Sequence, residues 1–193
     1  MKPTYYKVAL KTLVDDEGLE FPYYRFDISN QDDLEWPWMH GVALKDPPTA
    51  PLVLQVDLDD EDAGDFADFV VAPIPLVTDR FREALKASGV SNIDYYPVTM
   101  VGADQFDEFP VYYAANIVGK ISAADKTESK YTEAFSGPGA TLFDKFVLDP
   151  KLNTELQIFV LAEHLSTVIV SERVKANAEQ MGVDTLRFIP LGE

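Results

Sequence analysis

Apolar residues recur at helical spacing in two stretches of this chain and alternate with polar ones in most of the others. The first helical stretch carries Val77, Phe81 and Leu85, and the second carries Val170, Val174, Ala178 and Met181. Each opens on a hydroxyl residue, Thr78 or Ser171, whose oxygen can accept from the unpaired amides of a first turn. Asp79 and Glu172 follow and place a negative charge at the positive end of the helix dipole. Gly89 and Gly182 stand where a left-handed residue ends a helix, with Val90 and Val183 placed for the apolar contact that accompanies such a stop. The pattern predicts helices that begin near residues 78 and 171 and stop near 89 and 182. A short strand should follow each, with Ile93 and Tyr95 on one face, Asp94 and Tyr96 on the other, and Pro97 and Pro190 as terminators. The two segments, Val77 to Val98 and Val170 to Leu191, align without a gap. They are identical at Val77/Val170, Arg80/Arg173, Gly89/Gly182, Val90/Val183 and Pro97/Pro190. They read as one helix–strand unit used twice.

Alternation predicts further strands over residues 4–13, 21–28, 51–58, 109–118, 143–148 and 156–161. Asp15-Asp16-Glu17-Gly18 reads as a turn and Gly137-Pro138-Gly139 as a loop; the latter lacks the lysine of a phosphate loop. Strands outnumber helices and do not alternate strictly with them. The expected class is therefore α+β, a strand-rich mixed or antiparallel sheet with two duplicated helix–strand units. A boundary is placed near residue 70. Residues 1–70 form an N-terminal strand-rich segment that could complete the sheet of residues 71–193, which carry the repeat.

The absence of cysteine excludes disulfides, thiolate zinc sites and cysteine nucleophiles. Lys plus Arg is 16 against 33 for Asp plus Glu, a net charge of −17 over 193 residues. That balance argues against direct nucleic-acid binding, which needs a cationic surface. It suits attraction to a basic partner, and it equally suits plain solubility. Residues 1–11 hold no apolar leader core, and no apolar run reaches the length of a membrane span. A cytoplasmic protein with no membrane contact is expected.

The densest acidic run, Asp57 to Asp68, invites a calcium reading. A loop starting at Asp57 would need glycine sixth and glutamate twelfth, and Asp62 and Asp68 stand there instead. The run reads as a solvated loop, with Asp59, Asp60, Glu61 and Asp62 as candidate partner-binding carboxylates. Trp36 and Trp38 flank Pro37 and are candidates for an aromatic anchor, with core packing as the alternative. Asn116 and Ser129 could contact a ligand, although turn and capping roles suffice for them. No metal or catalytic constellation assembles around His40 or His164. The sequence therefore gives no catalytic residue, no metal site and no cofactor.

Three stretches carry a family resemblance: Leu76 to Pro97, Tyr112 to Ser129, and Phe146 to Leu191. The second holds Tyr112, Tyr113, Asn116 and Gly119, then Asp125, Glu128 and Ser129; the third holds Val170, Ser171 and Glu172 and closes on Pro190-Leu191. In this order they resemble the myxobacterial-type immunity-protein family of bacterial polymorphic toxin systems, whose genes sit beside toxins delivered by type VI and related secretion. Val160 departs from the pattern, where an arginine is expected after Phe159, and residues 1–70 carry little that matches. The resemblance implies a non-enzymatic inhibitor that binds a cognate toxin in the cytoplasm; the acidic balance points to a nuclease or another cationic enzyme. Two other classes stay open: a hydrolase using a carboxylate pair, and a calcium- or carbohydrate-binding module. Oligomeric state is not legible.

Overall fold

The computed structural model describes residues 4–14, 17–28, 37–57, 65–102, 108–133 and 139–191. The chain runs β1 (Tyr5–Leu10), β2 (Leu13–Val14), β3 (Glu20–Phe21), β4 (Phe26–Ile28), β5 (Leu52–Val56), β6 (Phe69–Val70) and β7 (Leu76–Thr78) into helix α1 (Asp79–Ala87). It continues through β8 (Ile93–Val101), β9 (Tyr112–Ile117), β10 (Lys120–Ile121), β11 (Lys130–Thr132), β12 (Leu142–Lys145), β13 (Ile158–Leu161) and β14 (Val168–Ser171). Helix α2 (Glu172–Gln180) and β15 (Leu186–Pro190) close the chain. The fold is α+β and dominated by its sheets. A six-stranded sheet is ordered β4-β5-β8-β9-β7-β6 and a five-stranded one β10-β13-β14-β1-β15. Both are mixed, because β5 and β8 run parallel, as do β10 and β13, while the remaining neighbours are antiparallel.

Local chemistry sets both helices as the spacing predicts. Thr78 Oγ1 accepts from the Phe81 amide at 3.3 Å, and Ser171 Oγ from the Val174 amide at 3.4 Å. At the other end the Val90 amide reaches back to Leu85 O (3.1 Å) and Gly89 to Lys86 O (3.0 Å). Val183 likewise bonds Ala178 O (2.9 Å) and Gly182 bonds Glu179 O (3.1 Å). Both are Schellman stops, which need a left-handed residue, and Gly89 and Gly182 have φ of +78° and +72°. A Cβ at either would meet nothing within 4 Å, so only the backbone conformation opposes a side chain. Gly182→Ala should therefore destabilise by about 1 kcal/mol, read as a lowered urea midpoint at unchanged slope; an unchanged midpoint would remove the stop. Met181 departs from expectation: it is the C-cap residue and is 39% exposed, because the helix has already begun to unwind there.

The connectivity around each helix is shared. Strands β7 and β8 both run antiparallel to β9, which lies between them, so α1 joins two parallel strands across an inserted third. Strands β14 and β15 both run antiparallel to β1, and α2 makes the same kind of crossover. The inserted strand is local in the first case; in the second it comes from the first ten residues. Pro97 does not end β8. Residues 93–97 pair with β9 and residues 98–101 with β5, so the proline stands where the strand changes partners and its missing N–H interrupts neither ladder.

Alternation along the strands sorts side chains into three cores. The central one takes Tyr6, Val8, Val77, Ala115, Ile117, Ile158, Val160, Val168 and Val170, together with Phe81, Ala84 and Leu85 of α1 and Val174 and Ala178 of α2. Both helices and the facing sides of both sheets thus share one apolar interior. Ser88 joins the helices: its hydroxyl lies 2.7 Å from Ala84 O and 3.3 Å from Arg173 O, and it accepts from Asn177 Nδ2 at 2.9 Å. The opposite face of the six-stranded sheet carries Leu52, Leu54, Val56, Leu76, Tyr112 and Ala114, and that of the five-stranded sheet carries Tyr5, Phe159, Leu161 and Ile169.

Candidate partner-binding surface

The acidic run leaves β5 and returns at β6. Its start is pinned: the Asp57 amide bonds Arg25 O at 2.9 Å, and its carboxylate pairs with Arg25 Nη2 at 3.1 Å. The candidate carboxylates Asp59, Asp60, Glu61 and Asp62 lie outside the described residues, as does Trp36. Trp38 is 8% exposed and meets Tyr96 edge-on at 5.7 Å, so its ring belongs to the protein's own core. That burial replaces the exposed-anchor reading for Trp38 with the packing alternative.

The far end of the run corrects the solvated-loop reading. Asp68 is fully buried. Its carboxylate accepts from Thr78 Oγ1 (2.6 Å), Arg80 Nε (3.1 Å), Arg80 Nη2 (2.8 Å) and Thr185 Oγ1 (2.8 Å). Its amide donates to Thr185 Oγ1 at 2.8 Å, and its carbonyl accepts from the Thr78 amide at 3.0 Å. Burying a carboxylate is tolerable only with this degree of satisfaction. The cluster ties the start of α1 to the loop before β15, and so links the two helix–strand units. Sequence reasoning missed it by grouping Asp68 with its acidic neighbours. The available signal was that Asp68 directly precedes the apolar Phe69-Val70-Val71, a position at the mouth of a strand rather than in a loop.

A cavity of 360 Å³ opens beside the cluster, bordered by Asp65, Asp79, Arg80, Pro110 and Val111. Its hydrogen bond to Asp68 holds the Arg80 guanidinium above its ordinary pKa, and Asp184 stands 3.7 Å away. Burial, then the charges of Asp68 and Asp65, push the nearby Tyr112 phenol upward; its hydroxyl donates to Ala67 O at 2.5 Å. Around this floor Asp79 and Asp184 are 51% and 78% exposed at their side chains, and Val111 is 59% exposed. Arg82 pairs with Asp79 at 2.9 Å, and Arg80 pairs with Asp68 and Asp184. The partly apolar concave surface at the base of the acidic run thus sets the carboxylates of Asp65, Asp68, Asp79 and Asp184 against these two guanidinium groups and keeps a net negative balance. Carboxylates arranged this way attract cationic side chains.

The remaining candidates serve the fold. Asn116 is fully buried and donates from Nδ2 to Val42 O at 2.9 Å. Ser129 bridges to residue 147, accepting from its amide at 3.0 Å and lying 3.2 Å from its carbonyl. Asp125 accepts from Thr127 and Glu128, and those bonds lower its carboxyl pKa. Among the described residues no three histidine or acidic side chains converge as a metal site, and no helix is long and apolar enough to cross a membrane.

Compared with known families, residues 26–193 match the Immunity protein family (Imm11), and the chain belongs to that family. The match takes in β4 and β5, earlier than the stretches in which the resemblance is visible by eye. No curated protein matches the chain.

Proposed function

We propose that this member of the Imm11 immunity family neutralises a cognate secreted toxin in the cytoplasm, binding it stoichiometrically and occluding or distorting its active site. Family membership is the observation that carries the reading. The net charge of −17 and the acidic concave surface support a toxin with a cationic cleft, of which a nuclease is the leading case. Delivery by type VI or related secretion belongs to the same reading. In it residues 71–193 form the immunity domain, to which residues 1–70 add strands. Its two helix–strand units are copies of one ancestral unit, supported by the shared identities and the same strand-inserted crossover.

The partner-facing groups are Asp59, Asp60, Glu61 and Asp62 with Trp36, while Trp38 supports its segment from the core. Long-range attraction acts on the rate of encounter, and salt screens it over roughly 8–10 Å at physiological ionic strength. Converting the four acids to amides should slow association with the toxin and flatten its salt dependence. Dissociation should change less, since short-range packing governs it. Stopped-flow association at several salt concentrations decides the matter. Equal rates and equal salt slopes for variant and parent would remove this segment from recognition.

A further inference from the structure

The outer face of the five-stranded sheet holds a cavity of a different character. Lys7 is paired in register with Ile169 on one side and Ile189 on the other, and Ala9 with Arg187, so these side chains share that face. Strand β12 roofs part of it with Leu142 and Phe143, and Phe146 follows. Gly139 makes this closure possible: at φ +89° its backbone lies against Leu165, where an added Cβ would come within 2.7 Å of Cγ. The Leu165 amide bonds Gly139 O and the Thr141 amide bonds Glu163 O, both at 2.8 Å, which stitches the approach to β12 onto the β13–β14 turn. The space is a half-open cleft of 270 Å³.

Its walls are mostly apolar, from Phe143, Phe146, Leu161, Ile169 and Leu191. The polar groups converge at one side, where Lys7 adjoins His164 and Thr167, and His164 Nδ1 is 2.7 Å from Thr167 Oγ1. Burial, then the charge of Lys7, lower the His164 pKa. Among the described residues neither Lys7 nor Arg187 belongs to an ion pair, which is also true of most of the described lysines. An unpaired ammonium beside an apolar cavity is complementary to an apolar molecule with an anionic head. The roof and the modest volume suit a short acyl chain better than an extended polypeptide.

We propose that this cavity is a binding site for a small amphipathic anion, an apolar tail against Leu142, Phe143, Phe146 and Leu191 with its carboxylate at Lys7. The site lies on the outer face of the five-stranded sheet, and the acidic surface lies at the six-stranded one, so its fate is independent of the immunity reading. Octanoate is a suitable probe, with octanol as the uncharged comparison. Titration followed by amide chemical shifts and calorimetry should give saturable octanoate binding that perturbs residues 142–143, 146 and 191. Lys7→Met, a change at an exposed position, should weaken octanoate about tenfold, the scale of one charge-assisted contact, and leave octanol unchanged. Leu142→Asp, which puts a carboxylate on the exposed rim, should abolish octanoate binding. Octanoate that fails to saturate, that shifts residues elsewhere, or that binds parent and Lys7→Met alike would overturn the proposal.

Discussion

Replacing Asp68 with alanine should remove about 3 kcal/mol of folding stability, the largest effect expected of any acid in the run from Asp57 to Asp68. The carboxylate is wholly buried and accepts four hydrogen bonds from three residues. Alanine would leave the buried hydroxyls of Thr78 and Thr185 without their acceptor, and an unmet buried donor is costly. It would also release the guanidinium of Arg80, but that group is 46% exposed and water can replace the lost partner. Arg80→Ala should destabilise by a similar amount, about 3 kcal/mol, because it strips a wholly buried carboxylate of its cation and of two of its four hydrogen bonds. Asp68→Asn should destabilise by less than either, since an amide carries no charge to bury and keeps one acceptor oxygen, although it presents a donor toward groups that are themselves donors. Urea denaturation of the three variants gives the order. An Asp68→Ala protein as stable as the parent would mean that the cluster does not hold the two helix–strand units together.

The same residue shows where sequence reading succeeds and where it stops. Both helices were legible to within a residue or two, because a cap, a dipole-facing acid and a left-handed glycine act over one turn and need no distant partner. The strands were mostly legible as segments and not as neighbours. Nothing in Tyr5–Leu10 announces that it sits between β14 and β15, since pairing joins positions that lie more than a hundred and fifty residues apart. Pro97 was misread for the same reason: its position is harmless only because β8 passes from one partner to another there. Asp68 looked like its acidic neighbours until Thr78, Arg80 and Thr185 were brought to it by the fold. Trp38 likewise could be placed in the core only once Tyr96 was known to lie beside it. The cavity around Lys7 left no sequence trace, because it is assembled from five separate segments.

The central claim is inhibition of a toxin, and its expected effect is the largest of all, growth against death. Cells that express the cognate toxin should lose viability by orders of magnitude, and co-expression of this protein should restore it. The purified pair should form a complex of one fixed stoichiometry, and toxin activity should fall to zero at equivalence. Inhibition should need no turnover, so substoichiometric protein should leave a proportional residue of activity. A rival enzyme that destroyed the toxin or its product would instead protect catalytically, well below equivalence. Titration of toxin activity against this protein is the most direct measurement. A sharp break at the stoichiometric point is the predicted result; a folded protein that neither binds the toxin nor restores growth would contradict the account.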